Sequence, residues 1–206
     1  MSARGVRYFA SSWSPPAWLK TNNKINNGGF VKGKPGGKFY EILAKYYVKF
    51  LDAYAQHNVS IWGLTVQNEP EAGFLDSFKW NSLALNQSLE RDFIRLDLGP
   101  ELHRAGYTKD KLKLMIHDSQ LPLLKSFVEQ ILASNETAKY VSGIAFHWYW
   151  NEFANFNDLT EISQKYPDYF LLASEACEEL ADVSDHVLLG NWTVFDRYVV
   201  DIIKVN

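Results

Sequence analysis

The run Ile61-Trp62-Gly63-Leu64-Thr65-Val66-Gln67-Asn68-Glu69-Pro70 changes character partway along. Its first half is apolar and rich in β-branched side chains, which reads as a buried strand. Its end is polar and acidic, closed by a proline that cannot donate to a strand ladder and so ends the pairing. A strand that finishes in Asn-Glu-Pro delivers a carboxylate to the carboxyl edge of a sheet. The same design recurs in Tyr169-Phe170-Leu171-Leu172 followed by Ala173-Ser174-Glu175-Ala176-Cys177.

Outward from these two stretches, strands and helices alternate. Val6 to Ser12 reads as a strand broken by Ser14-Pro15-Pro16, and the Gly-, Asn- and Lys-rich segment to Lys38 as a long surface loop. Phe39 to His57 is a helix, with Leu43, Tyr47, Phe50, Leu51 and Tyr54 at helical spacing. After the Ile61 strand, Glu71 to Asn86 is a loop and Leu89 to Leu102 a helix. Lys111 to Ile116 is the next strand, ending at His117-Asp118, and Pro122 opens another helix. Val141 to Phe146 is a strand ending in His147-Trp148-Tyr149-Trp150. A helix around Leu159 to Lys165, the strand into Ser174 and a helix from Val194 to Lys204 complete the series.

Five strands alternating with helices, without a sheet-reversing segment, predict a parallel sheet with right-handed crossovers. Trp13, Asn68 with Glu69, Asp118, His147 with Trp148, and Glu175 fall where strands end. A (β/α)8 barrel carries its chemistry at such positions. The expected class is therefore α/β, a partial TIM barrel of about five of eight βα units with parallel strands. A doubly wound open sheet is the alternative, but no G-x-G-x-x-G or Walker-type loop opens any helix.

With 206 residues, 47% apolar residues and a formal charge of -3, the chain can bury a sizeable core and shows no electrostatic footprint for nucleic acid. Aromatics make up 15% and include seven tryptophans, a load that suits sugar rings, whose C-H faces lie flat on indole and phenol, although most such rings are expected in the core. Cys177 has no cysteine partner in the chain. Asn58-Val59-Ser60, Asn86-Gln87-Ser88, Asn135-Glu136-Thr137 and Asn191-Trp192-Thr193 are N-glycosylation sequons, which favours a secretory or lysosomal route. Residues 1–9 carry no signal-peptide pattern, so an N-terminal part is expected to be missing.

Two strand-end carboxylates suit hydrolysis of a sugar acetal, one protonating the leaving oxygen while the other attacks or guides water to the anomeric carbon. Three βα units separate Glu69 from Glu175, which places them on opposite sides of a barrel mouth with Trp13, Asn68 and His147 lining the same opening. A retaining reaction needs carboxyl groups about 5 to 5.5 Å apart, an inverting one about 6.5 to 9.5 Å. The Asn68 amide can bond a sugar 2-hydroxyl. His147 reads first as a residue orienting a carboxylate or hydroxyl, with a buried structural histidine as the near alternative. His57, His103 and His186 are expected to face solvent, Glu178 and Glu179 to be a solvated pair, and Cys177 a packed or rim thiol rather than a nucleophile. No His-Glu-x-x-His or similar spacing points to a metal, and no cofactor is expected.

The stretch from Phe9 to Asn22, together with Tyr47 to Tyr54, Gln67-Asn68-Glu69-Pro70, Arg91-Asp92-Phe93-Ile94, Asp97-Leu98-Gly99-Pro100, His147-Trp148-Tyr149 and Ala173-Ser174-Glu175-Ala176-Cys177, resembles the acid β-glucosylceramidases of glycoside hydrolase family 30, in the same order and over nearly the whole chain. The resemblance implies a retaining β-glucosidase that cleaves glucosylceramide in lysosomal sphingolipid catabolism, as a glycoprotein working on an anionic membrane surface with a saposin-like activator. It assigns Glu69 as acid/base and Glu175 as nucleophile, Trp13 and Asn68 as sugar contacts, and Phe78, Trp80 and Tyr149 as an aromatic rim for the ceramide tails; His147 and Trp148 complete the candidate substrate-binding residues. It also implies two earlier strands, an eighth strand and a β-sandwich domain, so that residues 1–206 are the expected central part of a TIM-barrel catalytic domain, poorly stable and inactive or nearly so alone. The alternatives are a non-catalytic fragment that binds lipid or sugar, and a relative acting on β-1,6-glucan or xylan.

Overall fold

In a computed structural model that describes residues 5–178 and 190–205, five strands form one parallel sheet in chain order. They are β1 (Tyr8–Ser11), β2 (Ile61–Thr65), β3 (Lys113–Gln120), β4 (Gly143–His147) and β5 (Phe170–Glu175). Helices stand between successive strands: α1 (Lys38–Gln56), α2 (Gln87–Phe93) with α3 (Gly99–Arg104), α4 (Leu124–Leu132) with the single-turn α5 (Asn135–Ala138), and α6 (Asn157–Lys165). α7 (Trp192–Val205) follows β5. The strand order never reverses, so the sheet is a half-barrel and not a doubly wound one. Glu179 and His186 lie outside the described residues.

The strands read as apolar runs because helices cover one face and the barrel interior the other. Leu64, Val66, Leu114, Ile116, Ile144 and Phe146 share a buried layer with the helices, against Leu43, Tyr47 and Leu51 of α1 and Phe127, Val128 and Ile131 of α4. Each such side chain contributes about 1.5–3 kcal/mol by leaving water. The α1 stripe recurs every three or four residues, which turns one face to the sheet. Tyr47 also donates its hydroxyl to the Val66 carbonyl at 2.7 Å, fixing the chain just before Gln67-Asn68-Glu69.

Inside the barrel the packing depends on one missing side chain. A Cβ at Gly143 of β4 would lie 2.4 Å from the Phe170 ring of β5, so only glycine admits that ring. Phe170 then reaches across to Trp62 of β2, with ring centroids 5.5 Å apart. The sheet is therefore bent enough for its second and fifth strands to touch.

Five expectations need correction, the first of them that Glu178 is solvated: its side chain is buried and accepts from the Arg197 guanidinium at 2.6 Å. β3 does not stop at Ile116 but runs to Gln120, because a bulge at His117 and Asp118, whose φ angles are 74° and 49°, lets a polar segment stay paired with β4. The expected helix Leu89 to Leu102 is split by a widened π turn over Ile94–Leu98. Pro100 lacks the N–H that an unbroken helix would bond, and the widened turn accommodates its absence. The loop after β1 is not wholly superficial, since Lys20 is fully buried and donates to the carbonyls of Ile25 and Ser82, tying that loop to the one after β2. The tryptophans are mostly not core: Trp13, Trp18, Trp80, Trp150 and Trp192 are all exposed.

Candidate active site

Glu69 follows β2 in a left-handed turn with φ of 40°, held by its N–H donating to the Asp118 carbonyl at 3.0 Å. That geometry turns its carboxyl toward the ends of β3 and β4. Gln120 Nε2 donates to Glu69 Oε1 at 2.7 Å, and His147 Nδ1 lies 3.3 Å from the same oxygen. On its other side the imidazole places Nε2 3.2 Å from Asp118 Oδ1 and 3.9 Å from Glu175 Oε2. Glu175, at the end of β5, also accepts the Tyr149 hydroxyl at 2.8 Å. Two carboxylates three strands apart thus meet on one ring.

The electrostatics follow from these contacts. Burial works against a charged His147, but the hydrogen bonds to Asp118 and Glu69 and the charges of Asp118 and Glu175 outweigh it and push its pKa up to about 10. Carboxylates face both nitrogens of a side chain that is also buried, an arrangement that favours the charged ring. Asp118 is buried as well, which raises its pKa, yet His147 and the hydroxyls of Ser11 and Ser174 hold it below the ordinary carboxylate value. Burial and the Glu175 carboxylate raise Tyr149, which keeps the phenol protonated as a donor.

The other expected residues are placed unequally. Asn68 is buried, its N–H donates to Ser12 O at 2.9 Å, and its side-chain Oδ1 has no protein partner, which leaves an acceptor beside Glu69. Trp13 is exposed and its carbonyl accepts from Gln67 Nε2 at 2.8 Å. Trp148 is buried against Tyr198 of α7, centroids 4.6 Å apart, beneath the Arg197 guanidinium. Phe78 and Trp80 form an edge-to-face pair at 5.4 Å on the loop after β2, a loop joined to the one after β1 by Asn27 N–H to Phe78 O. His57 and His103 are exposed, as is the Cys177 thiol. Among the described residues no group of His, Cys, Asp and Glu has the arrangement to hold a metal ion.

Sequence reasoning missed Gln120, Ser11, Ser174 and the Tyr149 hydroxyl as partners of the carboxyl groups. The signal available was polarity at inward positions of otherwise apolar strands, Ser11 and Thr65 among them, whose hydroxyls lie 2.6 Å apart.

The chain matches the glycosyl hydrolase family 30 TIM-barrel domain over residues 1–205. It is 42% identical over 193 residues to the lysosomal acid glucosylceramidase of Mus musculus, covering 93% of this chain and 37% of that protein. To a Caenorhabditis elegans protein numbered glucosylceramidase 4 it is 41% identical over 206 residues, covering 99% of this chain and 39% of that one. The crystal structure of SrfJ from Salmonella typhimurium superposes with a TM-score of 0.82 at 30% identity, over 97% of this chain and 41% of SrfJ. The chain therefore spans less than two fifths of the length of these two curated relatives.

Proposed function

This chain belongs to glycosyl hydrolase family 30, within its TIM-barrel domain, and from that premise we propose that it carries the catalytic pair of a retaining β-glucosidase acting on glucosylceramide. Glu69 protonates the glycosidic oxygen as Glu175 attacks the anomeric carbon, releasing ceramide and leaving glucose esterified to Glu175. Glu69, now a carboxylate, takes a proton from water, whose oxygen displaces Glu175 and frees glucose. The observation that carries this reading is the single imidazole ring of His147 lying 3.3 Å from Glu69 Oε1 and 3.9 Å from Glu175 Oε2.

The remaining roles belong to the same proposal. Asn68 Oδ1 accepts the sugar 2-hydroxyl, Trp13 offers its exposed face to the ring, and Tyr149 holds Glu175 for attack. Phe78 and Trp80 meet the ceramide tails. Exposed Ile25, Phe30, Phe74, Leu75 and Trp80 on the loops after β1 and β2 support docking to an anionic membrane surface with a saposin-like activator, in the lysosome. Residues 1–206 act as the central part of a catalytic barrel whose other strands and β-sandwich domain come from further sequence. The names of the two glucosylceramidase relatives support this substrate over a glucan or xylan.

A cyclitol epoxide provides the test. Peptide mapping is expected to find the label on Glu175 and none in Glu175→Gln. Label on Glu69 would reverse the roles, and turnover of β-1,6-gluco-oligosaccharides without turnover of glucosylceramide would overturn the substrate.

A further inference from the structure

Two consecutive residues of β3, His117 and Asp118, hold positive φ angles of 74° and 49°. Neither is a glycine, so this backbone persists only where its surroundings over-determine it. The bulge they form also carries the grip on Glu69. The Asp118 carbonyl accepts the Glu69 N–H, and Gln120 Nε2 donates to the Glu69 carboxyl. Whatever holds the bulge therefore aims the proposed acid.

Two groups on the helix side of the sheet hold it. Glu90 of α2 is fully buried, and its Oε1 accepts the His117 N–H at 3.2 Å. The His117 ring places Nε2 3.2 Å from the Gln120 carbonyl, so the imidazole spans the bulge from its first residue to the far end of β3. A carbonyl only accepts, so Nε2 carries the hydrogen in that bond. The ring is buried and packs on Phe127 of α4, centroids 5.1 Å apart. Three hydrogen bonds thus run in series from α2 to the mouth: His117 amide to Glu90, His117 ring to Gln120 carbonyl, and Gln120 side chain to Glu69 at 2.7 Å.

Neither supporting residue brings a charge. Burial is the main cause at both, holding the pKa of His117 down at about 3 and that of Glu90 well above the ordinary carboxylate value. Glu90 Oε2 is also buried without a protein partner, which disfavours an anion there. A neutral imidazole and a neutral carboxyl act on Glu69 through geometry.

We propose that His117 and Glu90 are positioning residues for Glu69, acting through Gln120: together they pin the β3 bulge so that the Gln120 amide meets the Glu69 carboxyl. The inference rests on Glu69 as the proton donor.

The test reads the Gln120 side-chain amide by proton–nitrogen NMR in the full chain, assigned through Gln120→Leu. In the unsubstituted protein that amide is expected to exchange slowly, and the His117 ring nitrogens to report the Nε2–H tautomer. His117→Asn suits a positive φ but is too short to reach the Gln120 carbonyl, and is expected to speed exchange of the Gln120 amide about 10-fold or more. His117→Gln, whose amide nitrogen reaches about as far as Nε2, restores slow exchange. Glu90→Leu removes the acceptor and is expected to act as His117→Asn does, whereas Glu90→Gln keeps an acceptor and the slow exchange. A Gln120 amide unmoved in folded His117→Asn overturns the proposal. So does an Nδ1–H tautomer in the unsubstituted protein, a result that needs no variant to fold. On aryl β-glucosides, His117→Asn is expected to lower kcat/KM about 10- to 100-fold for poor leaving groups and to spare dinitrophenol. Equal losses on both mark a role in folding alone and also overturn it. Failure of the acid assignment shows separately: Glu69→Ala then slows both leaving groups alike, while the Gln120 amide still decides what His117 and Glu90 hold.

Discussion

Tyr149 donates its phenolic hydrogen to Glu175 at 2.8 Å, from a ring that burial and that same carboxylate keep neutral. The bond fixes one lone pair of the proposed nucleophile and leaves Oε2 directed to the His147 side of the mouth. Tyr149→Phe keeps the ring and removes the donor. It is expected to lower kcat/KM for β-glucosides about 10- to 100-fold, the range for a hydrogen bond to a charged group. Equal rates of Glu175 labelling in the variant and the parent would show that the phenol does not serve the nucleophile.

Replacing the proposed acid should separate substrates by leaving group. Glu69→Ala is expected to slow hydrolysis of alkyl β-glucosides about 10²- to 10⁴-fold while sparing formation of the glycosyl-enzyme from activated fluorides. Proton NMR of the first product should show the β-anomer, the outcome of the proposed retaining reaction. An α-anomer would mean inversion and a wider gap.

His147 makes stability depend on pH in a defined direction. Its folded pKa is raised from 6.5 to about 10, so the stability it contributes is fully present below 6.5 and is lost as pH rises through about 10. Asp118 works in the opposite sense: its folded pKa lies below 3.8, so its contribution is present above that value and fades as pH falls through the depressed folded one. Urea midpoints should therefore be highest at acid-to-neutral pH and decline toward pH 10. His147→Gln, which strands the Asp118 charge in the interior, is expected to cost on the order of 3–5 kcal/mol near neutrality. A flat profile between pH 7 and 10 would contradict an imidazolium at this position.

Gly143 offers a packing test remote from the chemistry. Gly143→Ala sets a methyl 2.4 Å from the Phe170 ring and is expected to destabilise by about 1–3 kcal/mol. Phe170→Leu in the same chain should recover part of the loss, as a double-mutant cycle on denaturation midpoints would show. Additive losses would mean that the two residues do not press on each other.

Much of this arrangement was legible in the chain. Ile61 to Thr65 and Phe170 to Glu175 betray themselves because an apolar strand ends abruptly in a carboxylate, and the alternation of strands with α1 and α4 fixes a parallel sheet. The upper half of β3 was hidden, since His117 and Asp118 adopt positive φ that no local pattern of side chains announces. Gln120 and Ser119 became visible only once that bulge was known. The π turn before Pro100 and the buried ammonium of Lys20 depend on contacts with distant loops, and spacing along the chain carries no record of those.

The bulge in β3 also says which kinds of genetic change this region can absorb. Asp118 meets His147, Ser119 donates to Glu71 and Gln120 donates to Glu69, and which way each one faces depends on the one extra residue that the bulge accommodates. Loss of a single codon at His117 or Asp118 would turn the residues beyond it to the opposite face, exchanging the sides on which Ser119 and Gln120 lie. A substitution at either site removes one contact, whereas a one-residue deletion disconnects them all. In a deletion scan, this short stretch should tolerate shortening far less than the Gly- and Asn-rich loop after β1.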